Sequence, residues 1–319
     1  MRPSLTLPLT LLVAACASDP LPDNSNPNPN PNQDPGLSAE ADSEAAYALP
    51  LEQRNLTPVG IYDATNARFH LQNDDPAGPA KLHFQYGTAS PSKTALVGDW
   101  DGDGTDTVGL HQSFPDAVFP RGNGFYLRNS NSSGFADYRF SYDDAPCGVN
   151  CVPLVFHGST YYANDTVALY DPYSGRLYAA LNNSPGPGDW VQYIYTRPAN
   201  WRPHWRALMG DWNGDGVDSI GFFDPFGWQF YLADPMWETY AVVRYRPAAC
   251  TASCGPITGQ WDRWRIDTVG MWDAATHTFY IAPSPGHPQE QVVSLPDPGT
   301  QPLTGNFDGK PLLLPPLGS

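Results

Sequence analysis

The stretch GDWDGDGTDTVGL at residues 98–110 recurs as GDWNGDGVDSIGF at residues 210–222, 112 positions later. Weaker copies lie between and beyond these two. GQWDRWRIDTVGM at 259–271 keeps Gly259, Trp261, Asp262, Asp267 and Gly270. DTVALYD at 165–171 and PVGIYD at 58–63 keep the second half, and TGNFDG at 304–309 keeps the first. Internal similarity at a fixed period marks a chain built from stacked units, each of which buries its apolar faces only against a neighbour.

The apolar run that ends each copy sets the period. Val59, Val108, Val167, Ile220 and Val269 follow one another at 49, 59, 53 and 49 residues. A turn comes next: Asp63-Ala-Thr-Asn66, Asp171-Pro-Tyr-Ser-Gly175, Asp224-Pro-Phe-Gly227 or Asp273-Ala-Ala-Thr276. Then come aromatic strands at 68–71, 124–127, 176–179, 229–232 and 278–281, and third strands at 136–142, 190–195 and 240–245. Fourth strands at 95–97, 153–156 and 206–209 run into the next Asp-rich loop. Four short strands in about 50 residues is the size of a propeller blade. The expected fold is all-β, a β-propeller of about five four-stranded blades. An open array or a pair of β-sandwiches are the alternatives, and both leave sheet edges exposed that a ring protects. Residues 311–315 are a candidate closing strand, with 47–57 as its partner.

The loop Asp99-Trp-Asp101-Gly-Asp103-Gly104-Thr105-Asp106 sets carboxylates at alternate positions with glycine sixth. A tight turn then aims side chains one, three and five at one point, and a backbone carbonyl at position seven adds an oxygen, as a hard cation such as Ca2+ requires. The second loop offers Asp211, Asn213, Asp215, the carbonyl of Val217, and Asp218. The EF-hand reading fails, because no Glu stands at position twelve and strand-forming residues follow at once. With its flanking VG(L/F) and FYL, the motif resembles the FG-GAP and VCBS repeats of integrin-α-type propellers and bacterial surface proteins, over roughly residues 58–310. The resemblance implies two structural calcium sites, at Asp99, Asp101, Asp103, Thr105 and Asp106 and at Asp211, Asn213, Asp215, Val217 and Asp218. It departs at the ninth loop position, often acidic in the family and here Thr107 or Ser219. Metal-free Asp-Gly turns are the other reading of these loops.

Residues 1–15 read as an export signal: Arg2 gives the positive start, and Leu5 to Ala15 are too short to span a bilayer. Val13-Ala14-Ala15-Cys16 resembles a bacterial lipobox, which implies lipidation at Cys16 and an outer-membrane or cell-surface location; a plain secretory cleavage site, which looks similar, is the rival reading. Residues 16–46, with alternating Asn and Pro, read as a disordered tether, and 47–319 as the repeat domain. Four further cysteines form two pairs of equal spacing, Cys147 with Cys151 and Cys250 with Cys254. In an exported chain these read as local disulfides, and a shared four-thiolate zinc site is the alternative.

The 35 prolines and 29 glycines suit short strands and tight turns. A net charge of −16 makes nucleic acid and anionic membranes poor partners. Seven histidines, His70, His83, His111, His157, His204, His277 and His287, fall in no catalytic motif, and His70 and His277 look alike in their places around the second strand. No nucleophile elbow, phosphate loop or dinucleotide motif is present. Tryptophans 201, 205, 228, 237, 261 and 264 fall outside the regular aromatic pattern and are candidates for ligand stacking or for packing between blades. The expectation is a non-catalytic surface-anchored binding or adhesion module for an extracellular glycan or protein. The alternatives are an envelope scaffold that binds a partner protein, and an extracellular polysaccharide hydrolase or lyase.

Overall fold

The computed structural model describes residues 57–72, 80–142, 145–180, 182–183, 191–194, 197–234, 239–251, 253–261, 266–282 and 291–309. The export signal, Cys16, the tether and residues 311–315 lie outside them. Among the described residues, twenty strands form five antiparallel four-stranded sheets. Blade 1 contains β1 (Val59–Asp63), β2 (Arg68–Leu71), β3 (Leu82–Gln85) and the last strand, β20 (Gln301–Thr304). Blade 2 contains β4 (Lys93–Gly98), β5 (Thr107–Gln112), β6 (Gly124–Leu127) and β7 (Tyr138–Ser141). Blade 3 contains β8 (Val152–Phe156), β9 (Thr166–Asp171), β10 (Arg176–Ala179) and β11 (Val191–Ile194). Blade 4 contains β12 (Arg206–Gly210), β13 (Ser219–Asp224), β14 (Gln229–Asp234) and β15 (Thr239–Arg244). Blade 5 contains β16 (Cys254–Gly259), β17 (Thr268–Asp273), β18 (Thr278–Ile281) and β19 (Gln291–Ser294).

The innermost strands touch in the order β4, β8, β12, β16, β20 and back to β4, so the ring closes as a five-bladed propeller. The strands read from the sequence within the described residues are present. The phase differs by one strand: β4, the fourth strand of the first sequence repeat, is the innermost strand of the second blade. Among the described residues the ring is closed by β20; the candidate closing strand at 311–315 lies outside them. β20 pairs with β1 from Val59↔Thr304 to Tyr62↔Gln301. The offset puts both ends of the domain into one sheet, and backbone hydrogen bonds then hold the ring shut.

Both faces of each blade are covered, so the second strands are not alternating. All six residues of β5, β9 and β17 are buried, as expected for sheets packed on both sides. The core is divided into five apolar clusters, one between each pair of neighbouring blades. The repeated Gly-x-Trp has a packing reason. A Cβ on Gly98, Gly210 or Gly259 would lie within 3 Å of the ring of Trp100, Trp212 or Trp261 respectively. Only glycine leaves room for that indole beside its own strand. In the turns, Asp63, Asp171, Asp224 and Asp273 accept hydrogen bonds from the amide two residues on. The residue before each following strand is left-handed in all five blades: Ala67, Asn123, Gly175, Trp228 and His277. His277 is therefore the counterpart of Ala67. His70 lies within the next strand, and the two histidines do not correspond.

Candidate binding face and cation loops

The two Asp-rich loops join the innermost strand of blades 2 and 4 to the second strand. Asp99 folds its loop around its own carboxylate: Oδ1 accepts from the amides of Gly102 at 2.7 Å and Asp103 at 3.1 Å, and Oδ2 from Gly104 at 2.8 Å. The Thr105 amide donates to Asp103 Oδ1 at 2.8 Å. Gly102 and Gly104 take φ of 78° and 86°, which allows the reversals. The result brings oxygens of Asp99, Asp101 and Asp103 within 4.8 Å of one another. That is an all-oxygen donor set of the kind a hard cation takes, and it fits Ca2+. The second loop has the same internal bonds, with Asp211 accepting from Gly214, Asp215 and Gly216. Asn213 stands in place of the middle carboxylate and is bonded to Asp215 at 3.0 Å.

Asp106 and Asp218, placed among the cation ligands on sequence grounds, each accept an amide across a blade seam. Asp106 accepts the Asn306 amide at 2.6 Å and donates its own amide to Asn306 O at 2.9 Å. Asp218 makes the same reciprocal pair with His157, each bond 2.9 Å. Asp165 pairs so with Asp99, and Asp267 with Asp211. At the fifth seam Thr57 replaces the acid, accepting the Gln260 amide on its hydroxyl at 2.9 Å. One residue, two places before the apolar marker of each repeat, thus clasps each blade to the loop that leaves the innermost strand of its neighbour. Burial pushes the Asp106 carboxyl up to about 7, and the charge of Asp165 adds to this. Burial likewise pushes Asp218 well above the usual carboxylate range, with Asp267 adding to it. His157 is raised, chiefly by its 3.1 Å hydrogen bond to Asp165 and against its own burial.

These clasps ring one mouth of a central channel of about 1230 Å³, with Asp99, Asp106, Asp165, Asp218 and Asp267 in its lining. The blade 3 loop on this mouth, residues 157–165, lacks the Asp pattern and carries Tyr161 and Tyr162, 93% and 52% exposed. Its flanks touch both Asp loops. A Cβ on Gly102 would lie 3.0 Å from Ala163 Cβ, and one on Gly216 would lie 3.5 Å from Thr160 Cγ2. The two tyrosines therefore stand between the two Asp loops.

Sequence reasoning looked for ligand-facing rings among the tryptophans and missed these tyrosines. Trp205 is buried against Tyr231, with ring centroids 4.6 Å apart. Trp261 is buried and donates to Thr57 O. Trp201 and Trp228 are covered by the guanidinium groups of Arg197 and Arg246. Trp237 and Trp264 lie outside the described side chains. The cysteines form two disulfides, Cys147–Cys151 and Cys250–Cys254, with Cα–Cα distances of 5.1 and 5.8 Å. The four-thiolate alternative is excluded. Both bridges precede or begin an innermost strand, at the end of the ring away from the Asp loops.

No family model and no curated protein matches the chain. Among solved structures it is similar to an Agrocybe aegerita lectin described as recognising non-reducing terminal N-acetylglucosamine, with 14% identity, a TM-score of 0.38, and coverage of 76% of this chain and 63% of that one. It is also similar to BBS1N in complex with ARL6DN, with 10% identity, a TM-score of 0.30, and coverage of 72% and 62%. The chain thus spans less than two thirds of either structure, and at these values neither likeness decides anything about it.

Proposed function

We propose that the protein is a non-catalytic binding module, lipid-anchored at the cell surface through Cys16, whose Asp-loop face meets an extracellular glycan or protein. One observation carries this reading: Tyr161 and Tyr162 stand exposed between two acidic loops on a rigid five-bladed ring. Exposed planar rings stack on sugar faces or anchor a protein partner at low entropic cost. Calcium is the proposed occupant of both loops. At Asp99, Asp101 and Asp103 it would offset three converging carboxylates and hold the loop that supports the tyrosines. At Asp211, Asn213 and Asp215 two carboxylates and an amide oxygen serve. The FG-GAP and VCBS resemblance belongs to this same reading.

The test is a glycan array probed with residues 17–319, with calcium and again with EDTA, alongside a Tyr161→Ala/Tyr162→Ala variant. Binding that is lost in EDTA and in the variant supports a calcium-dependent glycan-binding face. Folded protein that binds no glycan in either condition refutes the sugar reading and turns the search to protein partners.

A further inference from the structure

Away from the Asp-loop face, three donor groups converge where the ring closes. His70 on β2 lies directly opposite His83 on β3 in the register, so both imidazoles leave one face of blade 1. Asp297 lies on the segment between β19 and β20 that leads the chain into its closing strand. His70 Nδ1 is 2.9 Å from His83 Nδ1 and 3.1 Å from Asp297 Oδ1. His83 Nδ1 is 3.7 Å from the same oxygen.

Protons alone serve this arrangement poorly. His83 Nε2 is 2.9 Å from the Ala80 carbonyl. A carbonyl only accepts, so that contact puts the ring proton on Nε2 and leaves a bare lone pair at Nδ1 of the neutral ring. One proton on His70 Nδ1 can then serve His83 or Asp297 and not both fully, and the contact of His83 Nδ1 with Asp297 Oδ1 sets lone pair against lone pair. A cation among the three atoms attracts all of them. In a tetrahedral zinc site with bonds of about 2.0 to 2.2 Å, ligand atoms stand about 3.3 to 3.6 Å apart. The observed edges of 2.9, 3.1 and 3.7 Å bracket that range. The bond from His83 to Ala80 is the kind of outer contact that orients a metal-binding imidazole.

We propose that His70 Nδ1, His83 Nδ1 and Asp297 Oδ1 bind one divalent transition-metal ion, zinc by the chemistry of the donor set, with water in the fourth position. Two imidazoles and a carboxylate suit zinc, nickel or copper and not calcium. The His83 side chain is 40% exposed and that of Asp297 16%, so an ion and its water reach the site from solvent. Bound there, the ion ties the segment before β20 to the β2–β3 hairpin. The closing strand, held to β1 over four residue pairs, gains a second fastening.

The test uses the purified protein in excess calcium, which occupies the oxygen-only loops, with Co2+ and Zn2+ as probes. Wild type is expected to take up one equivalent of Co2+ with the visible bands of a four-coordinate nitrogen–oxygen site. One equivalent of Zn2+ removes those bands, and the melting temperature rises with zinc. His83→Ala, at an exposed position, keeps its circular dichroism and loses about ten-fold or more in zinc affinity. Asp297→Asn does the same, and decides the matter if His83→Ala fails to fold. Folded wild type that takes up no stoichiometric Co2+, or uptake undiminished in the folded variants, overturns the proposal.

Discussion

Replacing His111 by Phe removes an acid-sensitive weakness from the ring. His111 is 1% exposed on β5, with Nε2 3.3 Å from Asn123 Oδ1 and Nδ1 buried without a partner. Burial pulls its pKa down to about 4, against the Asn123 hydrogen bond. The unfolded chain, near 6.5, therefore takes up the proton first. Above about pH 6.5 both states are neutral and His111 contributes nothing to the pH dependence. Below it the unfolded state alone is protonated, and stability falls until about pH 4. The gap of about 2.5 units corresponds to about 3.4 kcal/mol in full, and to about 2.5 kcal/mol at pH 4.5. Asp106 and Asp218 work in the other direction, because raised carboxyls bind protons in the folded state first. The wild-type profile is their sum, and the variant isolates one part. Phe suits the site because the equivalent strand position holds Tyr62, Tyr170, Phe223 and Trp272 in the other blades. Losing the Asn123 bond costs about 1 kcal/mol at every pH. Urea unfolding followed by tryptophan fluorescence, at about pH 7.5 and about pH 4.5, measures both proteins. The stability difference between variant and wild type is expected to move by about 2.5 kcal/mol toward the variant on acidification. Parallel changes in the two proteins refute the reasoning.

Other outcomes follow from the seams, turns and loops. Asp165→Ala removes the acceptor for the Asp99 amide and for His157 Nδ1, and is expected to cost about 2 to 4 kcal/mol in urea unfolding. Asp165→Asn keeps an acceptor for the amide and costs less than half as much. Gly175→Ala, at φ 75°, is expected to cost about 1 to 2 kcal/mol, whereas Ala67→Gly at the same turn position gains about 0.5 kcal/mol. Thermal melts of the pair give opposite signs if the left-handed turn is the cause. Tyr161→Ala/Tyr162→Ala is expected to abolish ligand binding while leaving stability within about 0.5 kcal/mol, since Tyr161 is 93% exposed. Asp99→Asn is expected to lower calcium stoichiometry by one in calorimetric titration.

The strands, the turns and the two Asp loops are written in short-range pattern. Apolar runs, an Asp that caps the turn two residues on, and alternate carboxylates around glycine each act within a few residues, so the sequence by itself determined a five-unit β-propeller and the carboxylate trio of Asp99, Asp101 and Asp103. Tertiary structure alone decided what depends on distant partners. Asp106 looks like an eighth loop ligand, yet its carboxylate is bonded to Asn306, 200 residues away. His70 and His83 lie 13 residues apart on paired strands, but Asp297 reaches them from the other end of the chain. Tyr161 reads like any loop residue until the ring sets blade 3 between the two Asp loops. Ring closure brings these groups together, and long-range juxtaposition leaves no periodic trace in a sequence.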